Sequence, residues 1–165
     1  MPGIAADDDL AHVQTCLGED LDAMLVFNIL RTHGYLGPSI DAGLRRKNLT
    51  AAQFNTLLVL RTANPQGMLM GEIGERLVVT KSNVTGLIDR LETQRLVTRG
   101  DRKDRRATAV RLTKAGAQLL DQALPQHAEL LTELTSCLSR SEKHTLIRLL
   151  TKLRRELRHH RKRSE

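Results

Sequence analysis

Residues 71–111 read GEIGERLVVTKSNVTGLIDRLETQRLVTRGDRKDRRATAVR, and this stretch decides the fold. Its pattern predicts two short amphipathic helices, over residues 71–77 and from an N-cap at Thr80 to about Gln94. The β-prone runs 96–99 and 108–112 then flank a charged turn, which predicts a hairpin. Between Gln94 and Lys114 the chain has eight basic residues against two aspartates, so about twenty positions hold +6 of a formal net charge of +7. Such a local excess predicts a surface that binds phosphate.

The second of these helices has two chemically different faces. At 100° per residue, one stripe is apolar and the opposite face carries small, hydrogen-bonding side chains. Such a face fits a DNA major groove, where Ser, Thr and Asn reach base edges, a glycine allows close approach, and flanking cations hold phosphates. The helix alone is equally compatible with an ordinary solvated polar side. The residues that we predict to contact DNA from it are Lys81, Ser82, Asn83, Thr85, Gly86 and Arg90.

The hairpin favours the DNA-binding interpretation. Arg102, Lys103 and Arg105 crowd its turn, and their mutual repulsion is unfavourable unless an anion or a narrow minor groove receives them. Arg106 completes the predicted DNA-binding set, although a pairing with Asp104 that shapes the loop is its favoured role.

The flanking sequence predicts further helices. Thr50 with Gln53 and Ser139 with Glu142 are capping-box patterns, Thr113 caps a long helix, and Pro125 is expected to kink it. Gly37-Pro38 is expected to start or kink a helical segment. Leucines 146, 150, 153 and 157 repeat at coiled-coil-like spacing. Because the apolar stripes are too extensive for an isolated core, we expect a homodimer with an interface over residues 10–35 and 119–157.

Composition excludes several classes of protein. The chain has 165 residues, 40% of them hydrophobic, with no Trp, one Tyr and two Phe, so base stacking on aromatic platforms is not expected. No apolar run reaches the ~20 residues of a bilayer span, and nothing resembles a signal peptide. Two cysteines are too few for a disulfide framework. We therefore expect a cytoplasmic protein with no membrane partner and, since no catalytic motif is recognisable, no enzyme.

The segments GEIGERL (71–77), SNVT (82–85), DRLE (89–92), LVTR (96–99), DRKDRR (101–106) and LTKAG (112–116) resemble the MarR family of winged-helix transcription regulators. The resemblance implies a mainly α fold with a small β-hairpin wing: one domain over residues 1–165, a winged helix-turn-helix core at 48–113, and dimerisation helices at 8–47 and 114–163. It also implies a two-fold dimer on a pseudo-palindromic double-stranded operator, most often as a repressor that a small ligand releases. Gln94-Arg95 replaces a glycine frequent in the family, and the tryptophan of its urate-responsive branch is absent.

Effector and sensor residues follow from weaker signals. The resemblance places a small-molecule effector near Tyr35, His33 and Phe54. His12 and Cys16 are four residues apart and offer an alternative metal- or redox-responsive regulator, but a lone pair lacks the four ligands of a structural zinc site, so we expect no metal or cofactor. Cys137 and His127 are expected to be a small core residue and a hydrogen-bonded core or interface histidine. A constitutive architectural DNA-binding protein is the remaining alternative, because basic residues alone give sequence-independent affinity.

Overall fold

The computed structural model describes residues 20–63, 65–77, 81–100 and 109–164. In that part of the chain it has six α-helices and one three-stranded antiparallel sheet, which confirms the predicted mainly α fold with a small hairpin. The helices are α1 (Leu21–Leu44), α2 (Ala51–Arg61), α3 (Met70–Leu77), α4 (Lys81–Thr93), α5 (Lys114–Leu134) and α6 (Arg140–Ser164). The strands are β1 (Met68–Leu69), β2 (Val97–Arg99) and β3 (Ala109–Leu112), and a 3₁₀ turn spans Arg45–Lys47.

The chain divides into two compact units. The first ends at His127, within α5, and the second begins at Ala128 and includes α6. The predicted N-terminal helix of residues 8–17, with His12 and Cys16, lies outside the described residues.

Helix α1 corrects part of one prediction. Gly37-Pro38 was expected to start or kink a helical segment, and Pro38 does not start one, because it lies inside a single helix of 24 residues. The kink stays a prediction. Proline has no N–H to donate within the helix, which leaves a backbone acceptor without its usual partner. The Ser39 hydroxyl donates to the Tyr35 carbonyl at 3.0 Å, which is the acceptor next to the Gly34 carbonyl that Pro38 leaves without its usual donor. The helix also begins on a good cap, because Asp20 accepts hydrogen bonds from the backbone N–H groups of Asp22 and Ala23.

A tight corner joins α1 to α2. Asn48 adopts a left-handed conformation (φ 52°), and the Leu49 N–H donates to the Leu44 carbonyl at 3.3 Å, as in a Schellman motif. Helix α2 then starts with the predicted Thr50/Gln53 capping box. Asp41 on α1 adds a further acceptor at 2.6 Å for the N–H of Ala51. Negative charge on a helix N-terminus is favourable, so this contact holds the two helices together at the corner.

The core of the first unit is aliphatic. Val97 of β2 and Val110 of β3 point inward from the sheet, where β3 lies between β1 and β2. Gly67 enters β1 with φ 95°, and a Cβ there would lie 2.6 Å from the Val110 carbonyl oxygen, so only glycine lets β1 approach β3 this closely. The fully buried side chains that pack together include Phe54, Leu57, Ile73, Val84, Ile88, Leu91, Val110 and Leu120.

Candidate nucleic-acid interface

Helix α4 has the two faces that its sequence predicts. Val84, Ile88 and Leu91 are buried and Leu87 is partly buried, which attaches the helix to the core. The opposite side exposes Asn83, Thr85, Gly86, Asp89 and Arg90. A Cβ at Gly86 would meet nothing within 4 Å, so the glycine is not required by packing. The side chains of Lys81 and Ser82, and the whole of Thr80, lie outside the description.

The end of α4 explains how the chain turns into the sheet without a glycine. Arg95 has φ 60°, its N–H donates to the Glu92 carbonyl at 2.8 Å, and the N–H of Leu96 donates to the Leu91 carbonyl at 2.9 Å. These two bonds form a Schellman motif with Arg95 at the left-handed position. The turn therefore keeps its geometry although Gln94-Arg95 replaces the expected glycine, and it does so with a strained residue.

Arg99 of β2 is held by two carboxylates of α4. One guanidinium nitrogen pairs with Asp89 and the other lies 2.6 Å from Glu92 Oε2, while the backbone N–H of Arg99 donates to Glu92 Oε1 at 3.1 Å. Burial alone would lower the pKa of Arg99, but the hydrogen bonds and charges of Asp89 and Glu92 raise it. We call this group the Arg99 fork. It links helix α4 to the base of the hairpin.

The fork changes the electrostatic reading of the hairpin. Arg99 was counted in the basic excess of residues 94–114, but its charge is compensated by Asp89 and Glu92. The strands β2 and β3 are joined at the hairpin base by the Gly100 N–H, which donates to the Ala109 carbonyl at 2.8 Å. The predicted wing residues Arg102, Lys103, Arg105 and Arg106 lie at positions 101–108, outside the described residues.

Helix α5 begins against the hairpin. The Thr113 hydroxyl accepts from the Gly116 N–H at 3.0 Å and donates to the Arg95 carbonyl at 2.8 Å, which confirms Thr113 as the cap. A Cβ at Gly116 would lie 2.8 Å from Leu112 Cδ1 and closer still to the Leu96 carbonyl oxygen. This close approach, which the sequence did not predict, fixes the first turn of α5 on the turn that follows α4.

The three predicted effector residues are in different environments. Tyr35 is 65% exposed on α1, with the Arg31 guanidinium 5.8 Å from its ring centroid, and His33 is also exposed. Phe54 is completely buried, and its ring centroid lies 4.4 Å from that of His127. The structure therefore brings Phe54 to His127 and leaves Tyr35 and His33 on the surface of α1.

His127 and Cys137 correct two sequence predictions. Nδ1 of His127 is buried and has no hydrogen-bond partner among the described residues, so the histidine is not a hydrogen-bonded core residue, and the interface alternative stays a prediction. Burial lowers the pKa of His127. Cys137 is exposed rather than a core residue, and it lies in the turn after α5.

A search of the described residues finds no cluster of three or more His, Cys, Asp or Glu side chains that could hold a metal ion. In the same residues no helix is both long and apolar enough to cross a membrane.

The α3–α4 pair, with an adjacent two-stranded hairpin and a third short strand, defines a winged helix-turn-helix protein. The profile of the MarR family matches residues 47–107. An uncharacterized HTH-type transcriptional regulator of Bacillus cereus is 31% identical over 67% of this chain and 73% of its own length. The regulator YkoM of Bacillus subtilis, also uncharacterized, is 40% identical over 61% of this chain and 64% of its own length, so the chain spans slightly less than two thirds of that relative.

Among solved structures, the apo form of Escherichia coli MarR aligns with a TM-score of 0.62 and 28% identity, over 79% of this chain and 95% of that one. The chain belongs to the MarR family of winged-helix transcriptional regulators. It is a DNA-binding protein of a regulator family, not a member of an enzyme family.

Proposed function

We propose that the protein is a ligand-responsive repressor that binds a pseudo-palindromic duplex operator as a homodimer. The observation that carries this proposal is the exposed face of α4, small and polar beside a hairpin that the Arg99 fork holds in place. Residues 48–113 are then the DNA-binding core, and residues 8–47 and 114–163 the dimerisation region of one MarR-like domain.

In this proposal α4 reads sequence and the wing supplies affinity. Asn83 and Thr85 face base edges, and Gly86 lets the helix approach the groove floor. Lys81 and Arg90 hold phosphates from the ends of the helix. Positively charged wing residues bind phosphate or the minor groove and contribute to every duplex alike. The assigned wing residues are Arg102, Lys103, Arg105 and Arg106.

Exposed apolar side chains support the homodimer. Helix α1 exposes Leu21 at 73%, Leu25 at 51% and Leu30 at 65%. Within the second unit, α6 exposes Leu146, Ile147 and Leu157 at 46%, 61% and 58%. Large apolar surfaces of this kind are normally covered by a partner. A two-fold dimer also places two copies of α4 about 34 Å apart, one DNA turn, which is why the operator is proposed to be pseudo-palindromic.

For the effector we propose a small aromatic or acidic molecule that binds near His127 and Phe54, with Tyr35 and His33 on the α1 side. The buried Nδ1 of His127 supports this site, because a buried polar atom without a hydrogen-bond partner is unfavourable, and a hydrogen bond from a ligand hydroxyl would remove that free-energy cost. A ligand that binds only the dimer conformation in which the spacing of the two α4 helices does not match the operator lowers the population of dimer that can bind DNA.

A matched pair of glycine variants tests the role of α4. Gly86→Ala and Gly71→Ala both add a methyl group to an exposed helical position with nothing within 4 Å of the new Cβ. Both variants should gain about 0.5–1 kcal/mol in stability from helix propensity. Operator affinity should fall at least tenfold in Gly86→Ala only, because only that methyl faces the groove. Equal operator affinity in the two variants, measured by fluorescence anisotropy, would contradict the assignment.

The effector proposal is tested by operator release. Small aromatic acids, urate, divalent metals and hydroperoxides are added separately to the protein–operator complex. We expect release by an aromatic acid and a large loss of response in His127→Leu, with Cys137→Ser as a control that responds normally. Release by hydroperoxide alone, abolished in Cys16→Ser, would replace ligand control with redox control. Release by none of them would favour a constitutive binder.

A further inference from the structure

The most basic helix of the protein is not in the winged core. Positions 140–164, which form α6, contain ten Lys and Arg residues against Glu142 and Glu156, a formal +8 in a chain whose total is +7. Glu142 is engaged at the helix start, where its carboxylate accepts from the Ser139 backbone N–H at 2.8 Å. Glu156 is therefore the only remaining carboxylate within positions 140–164 to offset this charge.

The charge is arranged on one side. At 100° per residue, Arg148, Lys152, Arg155 and His159 fall within about 60° of arc, opposite the leucine seam of residues 146, 150, 153 and 157. We call these four residues the basic stripe. All four side chains are exposed, and none has an ion-pair partner among the described residues.

The stripe differs from its neighbour Arg154. That guanidinium is engaged within the helix, where Nε donates to the Leu150 carbonyl at 3.3 Å and another nitrogen to the Thr151 hydroxyl at 3.1 Å. The stripe residues make no such bonds within the described part of the chain, and Arg148, Lys152 and Arg155 project three charges into solvent over about 10 Å of helix axis. Three like charges on one face repel each other, and a polyanion removes that repulsion.

We propose that the basic stripe is a second, sequence-independent DNA-binding surface. This inference goes beyond the proposed function, since operator binding requires only α4 and the wing. Duplex DNA carries one negative charge per ~1.7 Å of axis, so the row of three cations, about 10 Å long, meets several phosphates at once. Arginine, which supplies two of the four residues, matches phosphate oxygens with two parallel N–H groups.

The apolar face of α6 favours DNA over an anionic membrane. A helix that lies in a membrane interface inserts its apolar face, often Trp, Phe or Leu, among the lipids. In α6 the exposed apolar residues Leu146, Ile147 and Leu157 are those proposed to be covered in the homodimer, which leaves the basic stripe for an anion outside a bilayer. The expected activity is the bridging of two duplexes, one held by the winged core and one by the stripe.

A bridging assay tests the proposal on the full chain. Immobilised operator duplex is saturated with protein, and capture of a fluorescent random duplex of about four helical turns is measured between ~50 and ~200 mM salt. The stripe variant is Arg148→Gln/Lys152→Gln/Arg155→Gln. The control variant, Arg45→Gln/Arg46→Gln/Lys47→Gln, also removes three positive charges, but from the 3₁₀ turn after α1.

Wild type and control should capture the second duplex, and the stripe variant should lose capture at least tenfold while its operator affinity stays within twofold. The slope of log affinity for the random duplex against log salt should fall by roughly 2–3 in the stripe variant, about 0.9 per phosphate contact. Equal losses in both variants, or no capture by the wild type, would overturn the proposal. Displacement of the random duplex by phosphatidylglycerol vesicles that bind through the stripe would assign the surface to lipid instead.

The assay separates this inference from the proposed function. If the protein selects no operator, the immobilised protein itself can capture random duplex, and the stripe and control variants are compared in the same way. Loss of operator selection with a retained difference between those variants would reject the repressor and keep the second surface.

Discussion

Replacing Gly116 by Ala tests how α5 is joined to the winged core. In the native fold the first turn of α5 lies so close to the turn after α4 that a methyl group at position 116 would be 2.8 Å from Leu112 Cδ1 and 3.0 Å from the carbonyl carbon of Leu96. Favourable carbon–carbon contacts lie at about 3.5–4.0 Å. The helix start must therefore move by about 1 Å, away from backbone that cannot rotate aside as a flexible side chain can.

The free-energy change of this substitution has two unfavourable parts and one favourable part. Overpacking of a tight contact costs about 1–3 kcal/mol. Displacement of the helix start weakens the hydrogen bond from the Gly116 N–H to Thr113 Oγ1, and the loss of such a cap costs ~1 kcal/mol. Alanine returns up to ~1 kcal/mol through its higher helix propensity. The net loss is about 1–3 kcal/mol, which for a chain of this length lowers Tm by roughly 3–10 °C.

The measurement is a thermal melt of the full chain followed by circular dichroism, with Gly71→Ala as the control. A Cβ at Gly71 meets nothing within 4 Å, so the control should melt at or slightly above the wild-type temperature. If Gly116→Ala melts as high as Gly71→Ala, the close packing of α5 on Leu96 does not constrain the fold and this reasoning is wrong.

Three further predictions concern single residues. Arg95→Gly should raise Tm by about 1–4 °C, because glycine relieves the ~1–2 kcal/mol cost of a left-handed backbone, which exceeds the ~0.4–1 kcal/mol that the greater entropy of the unfolded chain removes. Asn48→Gly should raise Tm less, because asparagine tolerates the left-handed conformation. Equal increases in Tm would contradict this prediction. Burial lowers the pKa of His127, so the unfolded state takes up the proton first: stability should be constant above the ordinary histidine pKa of ~6.5 and fall as pH drops below it. His127→Leu should reduce that fall, as measured by urea denaturation between about pH 5 and pH 8, and an unchanged fall in this variant would contradict the prediction. Arg99→Lys keeps the charge but lacks the planar guanidinium that pairs with both Asp89 and Glu92, so operator affinity should fall. An unchanged operator affinity would show that the Arg99 fork does not position the wing.

Local signals in the sequence predicted the local structure well. The capping boxes at Thr50 and Ser139 are confirmed because each joins residues three positions apart, and the sequence shows both partners together. The buried stripe of α4 is confirmed for the same reason, since 3.6-residue periodicity is carried by the helix itself. Pro38 shows the limit, because the helix continues through a residue that usually breaks one, and local propensity does not predict that.

The features that sequence could not predict join distant positions. The Arg99 fork pairs a strand residue with carboxylates seven and ten positions earlier on a helix, and hairpin and helix patterns do not reveal that contact. Gly116 meets Leu96 across twenty residues. His127 lies against Phe54 with its buried Nδ1 lacking a hydrogen-bond partner among the described residues, and a lone histidine in a leucine-rich helix gives no sign of that environment.

The specificity ratio for DNA tests the central claim most directly. An operator is first selected from a random duplex library, and its affinity is then compared with that of scrambled duplex of the same length at physiological salt. A sequence-specific regulator should prefer its operator by at least ~10³. Binding of the two duplexes within tenfold of each other would contradict the account and identify an architectural DNA-binding protein.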